Sequence, residues 1–276
     1  MTQQQGEIGI ERLCELSHVS RASYYRYWRR VAPREAEGEL RDRIQRICLT
    51  HRYYGYRRVK QELSKQGLVV NAKKIRRLMR EDNLLAIRKR KWVTTTDSRH
   101  PLPVFANLAR LTEPDRADQL WVADLTYIRL RNEFVYLAVV LDAWSRRVIG
   151  WALGCELTAS LPKRALLNAL AERQPEPGLI HHSDRGVQYA SLEYITVLQE
   201  HGIVGSMSRP ACPWDNARCE SFLKTLKQEE IYCRNYSTLD ELRRNLEQFI
   251  EHYYNRERLH SALDYNSPAE FENRVA

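Results

Sequence analysis

None of the six cysteines (Cys14, Cys48, Cys155, Cys212, Cys219 and Cys233) sits in a CxxC pair or at a Cys/His spacing typical of zinc. That pattern argues against a zinc module and leaves a reducing, cytoplasmic setting with free thiols, all six expected as small buried side chains. The chain also lacks any segment with the length and apolar density of a membrane span. Its amino terminus, rich in Gln and Glu, has no basic-then-apolar secretory layout. Internal repeats and low-complexity tracts are missing as well. What is present is 276 residues at 43% hydrophobic content, enough for one sizeable core domain with one or two small modules.

The net charge of +9 is unevenly divided. Residues 1–110 hold 25 Lys+Arg against 11 Asp+Glu, a net of +14, and residues 111–276 hold 19 against 24, a net of −5. A block of positive charge at the front attracts a phosphate backbone, whereas an ordinary solvated surface mixes signs. Nucleic acid is therefore the expected partner, and a membrane is not.

Periodicity divides the front into two modules. Over residues 1–37, Ile10, Leu13 and Leu16 mark one apolar helical face, and Ser20 can cap a second helix that starts Arg21-Ala22-Ser23. The pair reads either as a minimal helix-turn-helix or as a hairpin that only packs on its neighbours. Over residues 38–93, Leu40, Ile44 and Ile47 recur at helical spacing, Val59 and Leu63 continue on another helix, and Asn71 caps a third over Ala72–Glu81. That third helix carries Lys73, Lys74, Arg76, Arg77 and Arg80, with Arg57 and Arg58 and the run Arg88-Lys89-Arg90-Lys91 nearby. These basic groups are expected to meet DNA, and Tyr54 and Tyr56 to fill the module's core. Residues 94–118, with Pro101, Pro103 and Pro114, read as a linker.

From 119 to 276 the pattern changes. Strands are expected at Leu120–Leu130, Glu133–Leu141, Val148–Leu153, Leu179–His182 and Ile203–Met207, and helices at Leu161–Arg173 and from Ser191 to His201. A further helix begins near Asp215 or Asn216, either of which could cap it. Thr238 and Ser267 each open a capping box. The order β-β-β-α-β-α-β-α describes an α/β fold of the ribonuclease-H type, a mixed five-stranded sheet with flanking helices.

Three acidic residues stand out on this frame: Asp124 on the first strand, Asp184 just past the fourth, and Glu220 on the helix after the fifth, with 35 residues between the last two. If the first and fourth strands are neighbours, the three meet at one sheet edge. Asp124 is the least ordinary, because a lone carboxylate in an apolar strand is costly to bury. Hard divalent cations are held by a few carboxylates plus phosphate oxygens, and two such ions can clamp both oxygens of an in-line phosphoryl displacement. Lys227, seven positions after Glu220, shares its helical face, with Lys224 beside it. His181 and His182, adjacent on a strand, point to opposite faces and read as structural.

Taken together, Trp121–Ile128, His182–Tyr189, Ser208–Lys227 and Tyr254–His260 followed by Ser267-Pro268 resemble the DDE transposase and retroviral-integrase superfamily. The resemblance is closest to the downstream-frame transposases of the bacterial IS3 family, and it covers nearly the whole chain. It implies DNA strand cleavage and strand transfer, with Asp124, Asp184 and Glu220 holding two Mg2+ ions, Mn2+ being a substitute. It implies a phosphate contact at Lys227, and carboxylate- or DNA-orienting roles for Asn216 and Arg218, with capping or surface roles as the alternative. Homo-oligomers on DNA, an upstream-frame partner segment and a bacterial, nucleoid-associated location are implied too. A ribonuclease or resolvase, or a non-catalytic DNA-binding regulator, are the competing readings.

Overall fold

The computed structural model describes residues 10–31, 37–84, 103–131, 133–209 and 212–275. They fall into two units, Met1–Ile87 and Arg88–Ala276. The expected run Arg88–Lys91 and the boundary at 93/94 lie outside the described residues. No helix among those described is long and apolar enough to cross a membrane.

The first unit is helical, with α1 (Ile10–Leu16), α2 (Arg21–Val31), α3 (Gly38–Thr50), α4 (Tyr56–Lys65) and α5 (Ala72–Glu81). Ser20 Oγ accepts the Ser23 N–H at 3.1 Å, and Asn71 Oδ1 accepts the Lys73 N–H at 2.8 Å, so both caps form where the sequence puts them. Ile44, Ile47, Val59, Leu63, Ile75, Leu78 and Met79 are buried, and Tyr54 joins them, stacked on His51 at 4.4 Å. Tyr56, expected in the core, is only half-buried.

The second unit is built on a five-stranded sheet in the order β3-β2-β1-β4-β5. The strands are β1 (Leu120–Arg129), β2 (Phe134–Asp142), β3 (Val148–Gly154), β4 (Ile180–Ser183) and β5 (Val204–Met207). β1, β2 and β3 form an antiparallel meander, while β4 and β5 run parallel to β1. Alternation along β1 sends Trp121 and Ala123 to one face and Leu120 and Val122 to the other. The first face is covered by α6 (Ser160–Arg173) and α7 (Leu192–Glu200), which bury Leu161, Ala165, Leu166, Tyr194 and Leu198 against it. The second is covered by α8 (Ala217–Glu229), α9 (Leu239–Glu247) and a π-helical run, Gln248–Glu257, that continues α9; Cys219, Phe222, Leu226, Leu242 and Ile250 fill that layer. A last helix, α10 (Pro268–Val275), opens on the expected capping box, in which Ser267 and Glu270 each accept the other's backbone N–H.

Three expectations need correction. Residues 103–118 do not stand free as a linker: Ser206 Oγ on β5 accepts the N–H groups of Leu108 and Ala109, and Phe105 lies against Gly205. Around Thr238 the Glu241 carboxylate reaches one residue further back than a capping box requires, to the Ser237 N–H. Of the cysteines only Cys14, Cys48 and Cys219 are buried; Cys155 and Cys233 are exposed and Cys212 half-buried.

Gly150 is where α6 meets β3 most closely. A Cβ there would stand 2.3 Å from the Ala165 carbonyl oxygen, a backbone atom that cannot swing aside. Gly150→Ala should therefore destabilise the second unit by about 1–3 kcal/mol through overpacking. A urea-denaturation midpoint equal to that of the parent chain would count against this packing.

Candidate active site

β1 and β4 pair in parallel with a constant offset of 60 positions, Leu120 opposite Ile180 and Val122 opposite His182. Asp124 and Asp184 are separated by the same 60 positions. Pairing ends at Val122, so Asp124 sits on β1 just where its partner strand gives way to the loop that carries Asp184. Asp124 thus lies midway along β1, level with the carboxyl end of β4. Asp124 has the strand parity of Leu120 and Val122, which places it on the face covered by α8, the helix that bears Glu220.

Two side chains fix the start of α8 there. The Asn216 amide nitrogen donates to the Ala123 carbonyl at 2.9 Å, next to Asp124, while its Oδ1 is buried and has no hydrogen-bond partner among the described residues. Asp215 accepts from Asn107 at 2.8 Å and from the backbone and guanidinium of Arg209 at 3.0–3.1 Å. The Arg209 hydrogen bond holds its carboxyl down at about 2. Asn216 stands at the N-cap position of α8, but neither its side chain nor that of Asp215 makes the expected capping hydrogen bond: Asp215 is taken by Asn107 and Arg209, and Asn216 turns its amide nitrogen to Ala123. On the β4 side, Asp184 Oδ1 accepts the Gly186 N–H at 2.9 Å, and Arg185 Nε donates to the Ser208 carbonyl at 2.7 Å. This turn holds the aspartate on a short loop.

Asp184 and Glu220 are each within electrostatic reach of Asp124. Burial, then the charge of Asp184, pushes the Asp124 carboxyl up to about 8; Glu220 adds to the rise, and the Leu125 N–H and Lys227 oppose it. Burial also raises Glu220. Lys227, half-buried, is lowered by burial and held up by Asp124, and its ammonium lies 5.2 Å from the centre of the Tyr127 ring. The donor set is all oxygen, crowded with like charge and short of counter-charge, which is the chemistry that suits a hard divalent cation. As they stand, no three or more His, Cys, Asp or Glu among the described residues are drawn tightly enough together to hold an ion.

The other sequence candidates divide. Lys224 is exposed on α8. Arg218 is half-buried, and its charged neighbours are Arg146, Glu113 and Asp142 rather than the three carboxylates. His181 and His182 are buried and neutral: burial lowers them to about 3 and about 4. His181 contacts the Tyr194 hydroxyl at 3.0 Å, and His182 bridges the hydroxyls of Ser206 and Ser208 at 2.8 and 3.0 Å, so both are structural as expected. Sequence reasoning missed Tyr127, whose only signal was its place on the same strand as Asp124. It also missed Asn107 and Arg209, which nothing in spacing ties to Asp215.

In the first unit the basic residues of α5 fall into two stripes. Lys74 and Arg77 face Glu37 at 3.5 and 2.8 Å, and Arg77 also pairs with Glu81. Lys73, Arg76 and Arg80 form the neighbouring stripe at i, i+3 and i+7, and no carboxylate pairs with them among the described residues. Arg57 and Arg76 both lie over the Tyr56 ring, at 5.7 and 5.9 Å, and Arg58 lies over Tyr54 at 5.4 Å.

Two matches to the family described as "Integrase core domain" cover residues 114–213 and 201–268, and one to "HTH-like domain" covers residues 35–92. The chain is 38% identical to the insertion element IS600 uncharacterized 31 kDa protein of Shigella sonnei, over 95% of this chain and 98% of that one. It is 35% identical to transposase InsF for insertion sequence IS3A of Escherichia coli (strain K12), over 98% and 96% of the two chains. It is 36% identical to the transposase for insertion sequence element IS904 of Lactococcus lactis subsp. lactis (strain IL1403), over 88% and 98%.

The raised Asp124 carboxyl has a consequence for stability. The folded chain keeps this proton above the ordinary carboxylate range, whereas the unfolded chain gives it up near pH 4. The unfolded state therefore binds fewer protons between about pH 4 and about pH 8, and stability falls as pH rises through that window. In cation-free buffer Asp124→Asn should flatten the fall in melting temperature. An unaltered slope in that variant would refute the placement of Asp124.

Proposed function

The chain belongs to the IS3 family of DDE transposases, and we propose that Asp124, Asp184 and Glu220 are the three carboxylates with which it cleaves DNA strands and joins them to a target. The observation that carries this reading is the shared 60-position offset of β1 with β4 and of Asp124 with Asp184, with α8 tied to β1 at Ala123. The ribonuclease and regulator alternatives are not favoured. Likeness to transposases runs over 96–98% of those relatives' own length.

Asp124, Asp184 and Glu220 are the residues that would hold divalent cations, two Mg2+ in this reading. Such ions activate an attacking water or 3′-hydroxyl and stabilise a leaving oxygen. The chain's own contribution is positional and electrostatic. Asp124 is carried by the strand, Asp184 by its turn, and Glu220 by the helix that Asn216 ties to β1, so the backbone brings the three to one end of β4 while their side chains close on the ions as these bind. The buried Asn216 Oδ1 is an acceptor left for solvent or for a hydroxyl of the substrate. Lys227 places one positive charge beside Asp124, where a phosphate can meet it. Several copies assembling on DNA, and an upstream-frame segment joining them, belong to this proposal on the strength of the family.

Strand transfer of end-bearing DNA in Mg2+ tests the assignment. Glu220→Gln should abolish joining and retain DNA binding, and Mg2+ should raise the melting temperature of the parent chain more than that of Asp124→Asn. Joining that survives in Glu220→Gln would end the reading.

For DNA binding by the first unit, the stripe Lys73, Arg76 and Arg80 is the phosphate-facing one, because Lys74 and Arg77 already face Glu37. Arg76→Ala and Arg80→Ala should each reduce the salt slope of binding by about one. Arg77→Ala should leave the slope and lower thermal stability instead. The reverse pattern would reassign the stripes.

A further inference from the structure

A line of alternating cations and rings runs out from the carboxylates along the β1–β2 hairpin. It begins at Lys227, the cation coupled to Asp124, whose ammonium is 5.2 Å from the Tyr127 ring centre. Tyr127 meets Phe134 edge to face, with centroids 5.6 Å apart and planes at 77°. The Arg129 guanidinium lies 5.8 Å from the Phe134 centroid, and in the β1–β2 register Arg129 stands directly opposite Phe134. Among the described residues no strand pairs with β1 on this side beyond Val122.

A single exposed apolar side chain is ordinary on a protein surface. Phe134 is different in its company. It is 49% exposed at the first position of β2, and its nearest ring partner is itself only half-buried. Both ends of the pair carry a positive charge, and Arg131 adds another at the turn, against one carboxylate, Glu133. Half-open rings suit a flat apolar face, and flanking cations suit the phosphates on either side of it. A nucleotide has both parts, and base stacking on aromatic side chains is tolerant of sequence because every base has a π-face.

We propose that Tyr127 and Phe134, flanked by Lys227 and Arg129, form a stacking platform for unpaired bases of the DNA strand whose phosphate is held at the three carboxylates. The proposal rests on the transposase reading and adds to it a demand for locally unpaired DNA beside the scissile position. A few unstacked bases leave the duplex there and lie on the half-exposed rings of Tyr127 and Phe134. Tyr127 and Phe134 are positioning residues in this scheme, and Arg129 supplies a phosphate contact.

The test uses the full chain carrying Glu220→Gln and a duplex with a three-nucleotide unpaired extension bearing 5-iododeoxyuridine. Irradiation should give adducts that map between Tyr127 and Tyr136, and the same probe with its extension paired should give several-fold fewer. In the otherwise unaltered chain, Phe134→Ala should raise KM for the frayed duplex on the order of tenfold. Phe134→Trp should restore it, and melting temperatures should confirm that both variants fold. Adducts found only elsewhere, or a KM unchanged by Phe134→Ala, would overturn the platform even where Glu220→Gln abolishes joining. Joining retained by Glu220→Gln would overturn the underlying reading instead.

Discussion

Setting a carboxylate in the middle of a sheet next to two others is a repulsive arrangement, and the rest of the second unit is organised around holding it in place. Asp124 stays on its apolar strand because Trp121, Val122 and Ala123 before it and Ile128 and Leu130 after it are buried on both faces. A slip of one residue would turn every one of them inside out. Asp184 and Glu220 cannot retreat either, since one is folded into a turn on Gly186 and the other rides on a helix tethered at Ala123. Burial first, and then the charge of Asp184, shows in the raised Asp124 carboxyl, and a divalent cation or a phosphate-bound cation would relieve both.

The far end of α8 is anchored by a second device. Glu229 accepts two hydrogen bonds from Arg258 at 2.7 and 2.9 Å and one from the Tyr253 hydroxyl at 3.0 Å, in a nearly buried pair. Buried ion pairs contribute little net stability but are strongly destabilising when one partner is removed, so they fix geometry more than they add to it. Asn255 does related work: its amide accepts the Val148 N–H and donates to the Val148 carbonyl, taking the place of a neighbouring strand at the start of β3. Asn168 and Arg164 donate to the carbonyls of Trp151 and Leu153 further along. An edge strand whose outward groups are taken in this way is a poor template for pairing with another chain. The Tyr254–His260 stretch, which carries much of the family likeness, thus acts on the site through packing.

In the first unit, charge that looked uniform along the sequence is partitioned by tertiary contacts. Glu37, buried before α3, draws Lys74 and Arg77, while Arg41 is held by Glu81 and Asp82 at the end of α5. Two of the five basic residues of α5, Lys74 and Arg77, are therefore occupied with holding the three-helix core together. Lys73, Arg76 and Arg80 meet no carboxylate among the described residues, and Arg76 lies over the Tyr56 ring.

Hydrophobic periodicity alone determined the five strands, the principal helices and the N-caps at Ser20, Asn71, Ser191, Thr238 and Ser267, because these depend on neighbours a few residues away. The sequence also marked Asp124 as unusual, since one charge in an apolar strand contradicts the local pattern. Tertiary structure decided the rest. Only strand order made the 60-position offset meaningful, and only packing turned Asp215 and Asn216 from caps into ties, drew residues 103–118 onto the sheet, and sorted the arginines of α5. Each of those outcomes turns on partners tens of residues distant, such as Asn107 with Asp215 or Asn216 with Ala123, and no local spacing encodes a pairing that chain folding alone creates.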